Sequence, residues 1–229
     1  MKCEVDKLTI KKSFKKLISL DNIEDGMTEK QISILIAAIE LFSKKGYEAT
    51  ATSEIAKKAK VAEGTIFRYY KTKKDLLFAI PSVLSKASLF EIFLDDFNEI
   101  LNKDHENFEI FLRKLVLNRK KFVSETAPIL KVIIQEIPFH PELRNRILGT
   151  VILPTINKLI KVIDKFKSQG EIIDIPSTSI INLIATSLFG YFFLHYVAMP
   201  ELKQNEEDLD YLIQYIMNGI CKNSTLQNT

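Results

Sequence analysis

Apolar positions between residues 28 and 80 recur at intervals of three and four, the period of one helix face. Thr28 and Gln31 stand three apart ahead of Ile32, Leu35, Ile36, Ile39 and Phe42, a capping-box pattern that opens an amphipathic helix. That helix is expected to stop at Lys45 and Gly46, where Lys44 and Lys45 suit the negative end of the dipole and Gly46 is free to take a left-handed cap. TSEIAKKA at 52–59 reads as a two-turn helix with Ile55, Ala56 and Ala59 facing inward. KVAEG at 60–64 follows as a tight turn, TIFRYY at 65–70 as a second short helix, and a longer helix starts near Lys71 and carries Leu76, Leu77 and Ile80. Two short helices joined by a tight turn and braced by a longer one are the parts of a helix-turn-helix unit.

Beyond Pro81 the pattern predicts helix after helix, over about 82–102, 106–122, 126–136, 141–168, 177–198 and 206–221. Pro154 is expected to kink the fourth of these. Pro138 and Pro141 frame a turn that His140 serves, and Lys167 and Gly170 close a helix. Ahead of the first helix, residues 1–24 read as an extension, with five lysines and no acid between Lys7 and Lys16: a basic amphipathic arm or a surface-docked leader. Residues 175–200 carry no formal charge, a run long enough to cross a bilayer. Ser177, Thr178, Ser179, Asn182, Thr186, Ser187 and His195 interrupt it and no lysine or arginine anchors its ends. A helix buried in a core or between subunits is the expectation, with no membrane partner. The fold class is therefore all-α.

Composition narrows the chemistry. The seven glycines never fall closer than 18 residues apart, which excludes the clustered glycines of dinucleotide and nucleotide phosphate loops. Net charge is only +3, yet residues 44–74 hold nine basic against three acidic groups. That local excess suits a polyanion such as nucleic acid, but from charge alone a solvated helix surface is the leading reading. Cys3 and Cys221 form no disulfide framework or zinc set, so a reduced, cytoplasmic setting is expected. No catalytic motif emerges, and His105, His140 and His195 fall on separate elements, so no enzyme activity, metal or cofactor is expected. Fifteen Phe and seven Tyr furnish a core, or line an apolar small-molecule pocket. By residue type and position Phe111, Phe122, Tyr191 and His195 are the ligand-binding candidates; for His195 a hydrogen-bonded core position is the competing reading.

The order of residues over about 28–78, AIELFSKKGYEAT, then EIAKKAKV, then EGTIFRYYKTKKDLL, resembles the N-terminal domain of the TetR (tetracycline-repressor) family of bacterial transcription regulators. The resemblance implies a DNA-binding domain at 25–80, with its helix-turn-helix at about 50–69, and a helical ligand-binding and dimerisation domain at 81–229. It implies a cytoplasmic homodimer that represses from a pseudo-palindromic operator in double-stranded DNA until a small-molecule inducer, largely apolar, spreads its recognition helices. The last two long helices, 177–198 and 206–221, would form the dimer. Carried over by position, Glu63, Gly64, Thr65, Arg68 and Tyr69 face the groove, Lys73 pairs with phosphate, and Thr50 and Thr52 bracket a phosphate-gripping helix start. Tyr69 has a second reading, as the cap of a hydrophobic edge. Four positions depart from the family pattern: Ala51 and Ala62 stand where capping hydroxyls are common, Lys60 where a turn glycine is common, and Phe67 where tyrosine is frequent. These departures keep an alternative open, a helical ligand-binding or scaffold protein with a degenerate helix-turn-helix.

Overall fold

In the computed structural model, which describes residues 27–86, 96–202, 205 and 207–221, Thr28 caps helix α1 (Glu29–Lys45). The Gln31 amide donates to the Thr28 hydroxyl at 3.3 Å, and the Thr28 amide donates to Gln31 Oε1 at 2.9 Å. Gly46 ends the helix, its N–H on the Phe42 carbonyl at 2.8 Å. Its φ is positive as expected, 86°, but a ψ of 160° puts it in the mirror-extended region rather than the left-handed helical one. Only glycine occupies that region freely. The buried face of α1, Ile34, Leu35, Ala37, Ala38, Ile39 and Phe42, is wider than the stripe read from spacing, and Ile32 and Ile36 sit half-buried at its margin. Helices α2 (Thr52–Ala59), α3 (Glu63–Tyr69) and α4 (Lys73–Lys86) all pack against α1, so one stripe does not suffice.

Two prolines expected near helix ends lie inside helices. Helix α4 passes through Pro81, and α5 (Phe108–Glu136) passes through Pro128, merging the two helices expected at 106–122 and 126–136. An internal proline costs roughly 3 kcal/mol. Burial of Ile129, Val132 and Ile133 just beyond Pro128 returns about 1.5–3 kcal/mol each, which outweighs it. Helices α6 (Pro141–Ile147) and α7 (Leu153–Ser168) are joined by a π-helical turn, Leu148–Ile152, so the widening falls just before Pro154. Helix α8 (Ser177–Phe192) runs on as a π-helical turn, Phe193–Ala198, and α9 (Asp208–Ile220) follows, both close to the expected ranges. Residues 96–102 are also helical. The expected basic arm of residues 7–18, and Cys3, lie outside the described residues.

The chain divides into two units. One gathers the described residues up to 86 with 125–147; the other holds 96–124 with those from 148 onward. A boundary near residue 80 does not anticipate the inclusion of 125–147. Side chains far apart in sequence account for it: the His140 ring meets Tyr47 and Phe78 edge-on, at 5.6 and 5.7 Å between centroids, and Lys74 pairs with Glu142 at 3.1 Å. His140 thus packs rings together instead of only serving a turn.

The second unit is built around Phe108, Phe111 and Phe166, whose ring centroids lie 5.4 to 6.1 Å apart. Helix α8 contributes Ile180, Ile181, Ile184, Leu188 and Phe192 to this core, and α9 contributes Leu209, Ile213, Ile216 and Ile220. The start of α5 is held by two side chains, Asn107 accepting from the Ile110 amide and Glu171 from the Phe108 amide, at 2.9 and 2.7 Å. Gly170, at φ 77°, closes α7 as its position predicts. The stretch Ser177–Ala198 is long and apolar enough to cross a membrane by length and composition, and 33% of an 18-residue apolar window within it is buried in the chain. Leu183 and Phe189 on α8, with Tyr211 and Tyr215 on α9, are exposed.

Candidate functional site

Helices α2 and α3 form the candidate nucleic-acid interface. The turn between them is set by Lys60 at φ 58° and ψ 42°, the left-handed conformation that its place in the sequence called for. The Val61 amide reaches back to the Ala56 carbonyl at 3.0 Å, which closes α2 and starts the turn. Neither short helix has a side-chain cap: Ala51 and Ala62 hold extended N-cap backbone geometry with nothing to accept a hydrogen bond. Glu54 answers part of this loss at α2, its carboxylate accepting from the Ala51 amide at 3.3 Å and from Lys45 at 2.5 Å. Both bonds, the lysine's first, hold the Glu54 carboxyl below the usual range.

On α3, Ile66 and Tyr70 are buried, as their four-residue spacing predicts, while Glu63, Gly64 and Arg68 are exposed. Thr65 and Tyr69 are half-buried on the outward side. Burial pushes the Tyr70 phenol up to about 12. The Tyr69 oxygen accepts from the Thr28 hydroxyl and from Arg68 Nη2, each at 3.1 Å, so the last residue of α3 is tied to the cap of α1. These two donors hold the Tyr69 phenol below its usual range. With both lone pairs engaged, the phenol keeps one free capacity, its own proton.

Among the other expected contacts, Thr52 donates to Glu63 at 2.5 Å, linking the starts of α2 and α3. Lys73 places its ammonium 4.2 Å from the centre of the Tyr47 ring and bonds the Glu48 carbonyl at 3.2 Å. Thr50 departs from the expected set. It is only 2% exposed, and its hydroxyl donates to the Gly46 carbonyl at 2.8 Å, so it holds the loop beneath α2 and has no surface to offer a phosphate.

The second unit holds a cavity of about 280 Å³. Of the four ligand candidates, Phe111 and Phe122 line it, and Tyr191 and His195 do not. This division has a geometric cause. The wall uses Leu188 and Phe192 of α8, and Tyr191 lies about 100° round the helix from Phe192. Tyr191 and His195 pair with each other instead, their ring centroids 4.4 Å apart and His195 Nδ1 2.8 Å from the Tyr191 carbonyl. Arg119, which residue type did not single out, also lines the cavity. The signal for it is a spacing: Phe111, Leu115, Arg119 and Phe122 stand at intervals of four, four and three on one face of α5.

The model of bacterial regulatory proteins of the tetR family matches residues 34–80, the span that builds α1 to the first turns of α4. The chain is 32% identical over 184 residues to the HTH-type transcriptional regulator YvkB of Bacillus subtilis (strain 168), a match covering 76% of this chain and 89% of that protein. It is 35% identical over 98 residues to the fatty acid metabolism regulator protein of the same organism, covering 43% of this chain and 46% of that one. Among solved structures, the transcriptional regulator FadR from Bacillus subtilis in complex with stearoyl-CoA shares the fold with a TM-score of 0.59 at 23% identity, over 82% of this chain and 95% of the other.

Proposed function

The chain belongs to the TetR family of DNA-binding transcriptional regulators, and from that premise we propose that it is a repressor released from its operator by a small, largely apolar ligand. A homodimer presents two α3 helices to a pseudo-palindromic operator, in major grooves about 34 Å apart. Thr52, Glu63, Gly64, Thr65, Arg68, Tyr69 and Lys73 form the DNA-facing surface of each protomer, and Tyr69 directs its remaining proton to a phosphate oxygen. The exposed apolar groups of α8 and α9, Leu183, Phe189, Tyr211 and Tyr215, form the dimer surface. Ligand in the cavity of the second unit favours a spacing of the two α3 helices that no longer fits the grooves, and by linkage DNA weakens the ligand equally.

The observation that carries this reading is α3 itself, its Ile66 and Tyr70 side chains seated in the core while Glu63, Gly64 and Arg68 stand free. A degenerate helix-turn-helix would draw support from the bare caps at Ala51 and Ala62. A missing cap costs only about 1 kcal/mol, too little to undo a motif whose core is intact. A mobility shift on DNA flanking the gene, over a series of salt concentrations, is the test. Specific binding that exceeds binding to random DNA and weakens steeply with salt supports the proposal; equal affinity for both at every salt concentration refutes it.

A further inference from the structure

Among the described residues that line the cavity, Arg119 is the only one with a formal charge, and the one other side chain bearing a polar group is Thr155. A long cationic side chain on a helix ordinarily runs its stem over apolar surface and leaves its head in water. Here the guanidinium carbon lies 4.1 Å from the centre of the Phe97 ring and 5.2 Å from that of Phe122. Two of its donors, on Nε and Nη2, address the neutral Oδ1 of Asn118, the first at 3.0 Å. Burial lowers its pKa to about 10, with no carboxylate among the described residues offsetting the shift, so the group stays cationic at neutral pH. A guanidinium has five N–H donors, and the aromatic faces satisfy its charge without satisfying the rest of them.

We infer that the ligand of this cavity is an amphipathic anion, an unbranched aliphatic chain ending in a carboxylate, and that Arg119 is the residue that reads its head group. The planar fork of Arg119 matches a carboxylate, and the apolar wall accepts the tail. The cavity, at about 280 Å³, is nearly twice one of ~150 Å³ that admits a benzene ring, which sets the chain at about ten carbons. A coenzyme A thioester is a second source of the same tail, but its carbonyl carries no charge to place at Arg119. The inference rests on reading this cavity as the effector site.

Calorimetry on the full-length protein without DNA tests it, with dodecanoate, decanoate, 1-decanol and dodecanoyl-CoA as probes. Decanoate should bind about tenfold or more tightly than 1-decanol, and Arg119→Gln should erase that preference while leaving 1-decanol within about twofold. Arg119→Lys should restore part of it. Retained 1-decanol binding shows that the cavity of the variant is intact, and the acid-against-alcohol comparison needs no variant. No binding by either acid, equal binding of acid and alcohol, an unchanged affinity in Arg119→Gln, or tighter binding of the thioester that survives Arg119→Gln would each overturn the inference. A mobility shift with dodecanoate separates the two levels. Arg119-dependent binding that leaves DNA affinity untouched refutes the effector reading alone, and ligand release of DNA that ignores Arg119 refutes the head-group inference alone.

Discussion

Ala62→Ser probes the start of α3. Ala62 already has the backbone of an N-cap, φ −69° and ψ 144°, and lacks only a side-chain acceptor. A serine hydroxyl there would accept from the amide of Gly64 or Thr65, a change that brings about 0.5–2 kcal/mol in other proteins. The Thr65 amide already donates to the Ala62 carbonyl at 2.8 Å, so part of the loss is answered and the lower half of that range, about 0.5–1 kcal/mol, applies. For a chain of this length that raises the thermal midpoint by roughly 1–4 °C. Thermal and urea unfolding, followed by circular dichroism, measure it, and Ala62→Thr beside Ala62→Val isolates the hydroxyl from added bulk. The reasoning fails if serine leaves the midpoint at or below that of the parent, or if valine stabilises as much as threonine.

Other outcomes follow from the same geometry. Lys73→Gln should reduce the dependence of log affinity on log salt by about 0.9 per protomer, measured by mobility shift or fluorescence anisotropy, if Lys73 pairs with phosphate. An unchanged slope would leave Lys73 only its bond to Glu48 and its packing on Tyr47. Tyr69→Phe removes the phenol oxygen, and with it both the outward proton and the bonds from Thr28 and Arg68, and should weaken operator binding about tenfold or more while costing no more than about 1 kcal/mol of stability in the urea midpoint. Because the Tyr70 phenol is raised from 10.0 to about 12, it stays protonated in the folded chain at pH values where the unfolded chain releases its proton. Stability present below pH 10 is therefore lost as pH rises toward 12, and a urea midpoint that falls less steeply in Tyr70→Phe over that window would bear this out. Tyr215→Glu, at a residue 71% exposed, should shift the protein toward monomer in sedimentation equilibrium while sparing the fold of each chain.

Features that depend on a few neighbouring residues are written in the order of the chain. The Thr28–Gln31 box, the positive φ of Gly46, the left-handed turn at Lys60, and the division of α3 into a buried Ile66–Tyr70 side and an open Glu63–Arg68 side all follow from caps, turn chemistry and helical spacing. Because the helix-turn-helix is made of such local elements, most of the candidate DNA surface is legible from the amino-acid order. Spacing sets the angle at which a side chain leaves its helix; it does not say which other helix lies there. Packing buried Thr50 within its own loop, gathered residues 125–147 around Tyr47 and Phe78, and carried α5 through Pro128 on the strength of downstream burial. It also chose between Phe192 and its neighbour Tyr191 for the cavity wall, a rotation of about 100° that no count of aromatics resolves. Arg119 marks the limit most clearly. Its place on an apolar stripe is visible in the sequence, but an arginine there can reach water or turn inward, and the face of Phe97, brought from a separate element to join that of Phe122 on α5 itself, turns it inward.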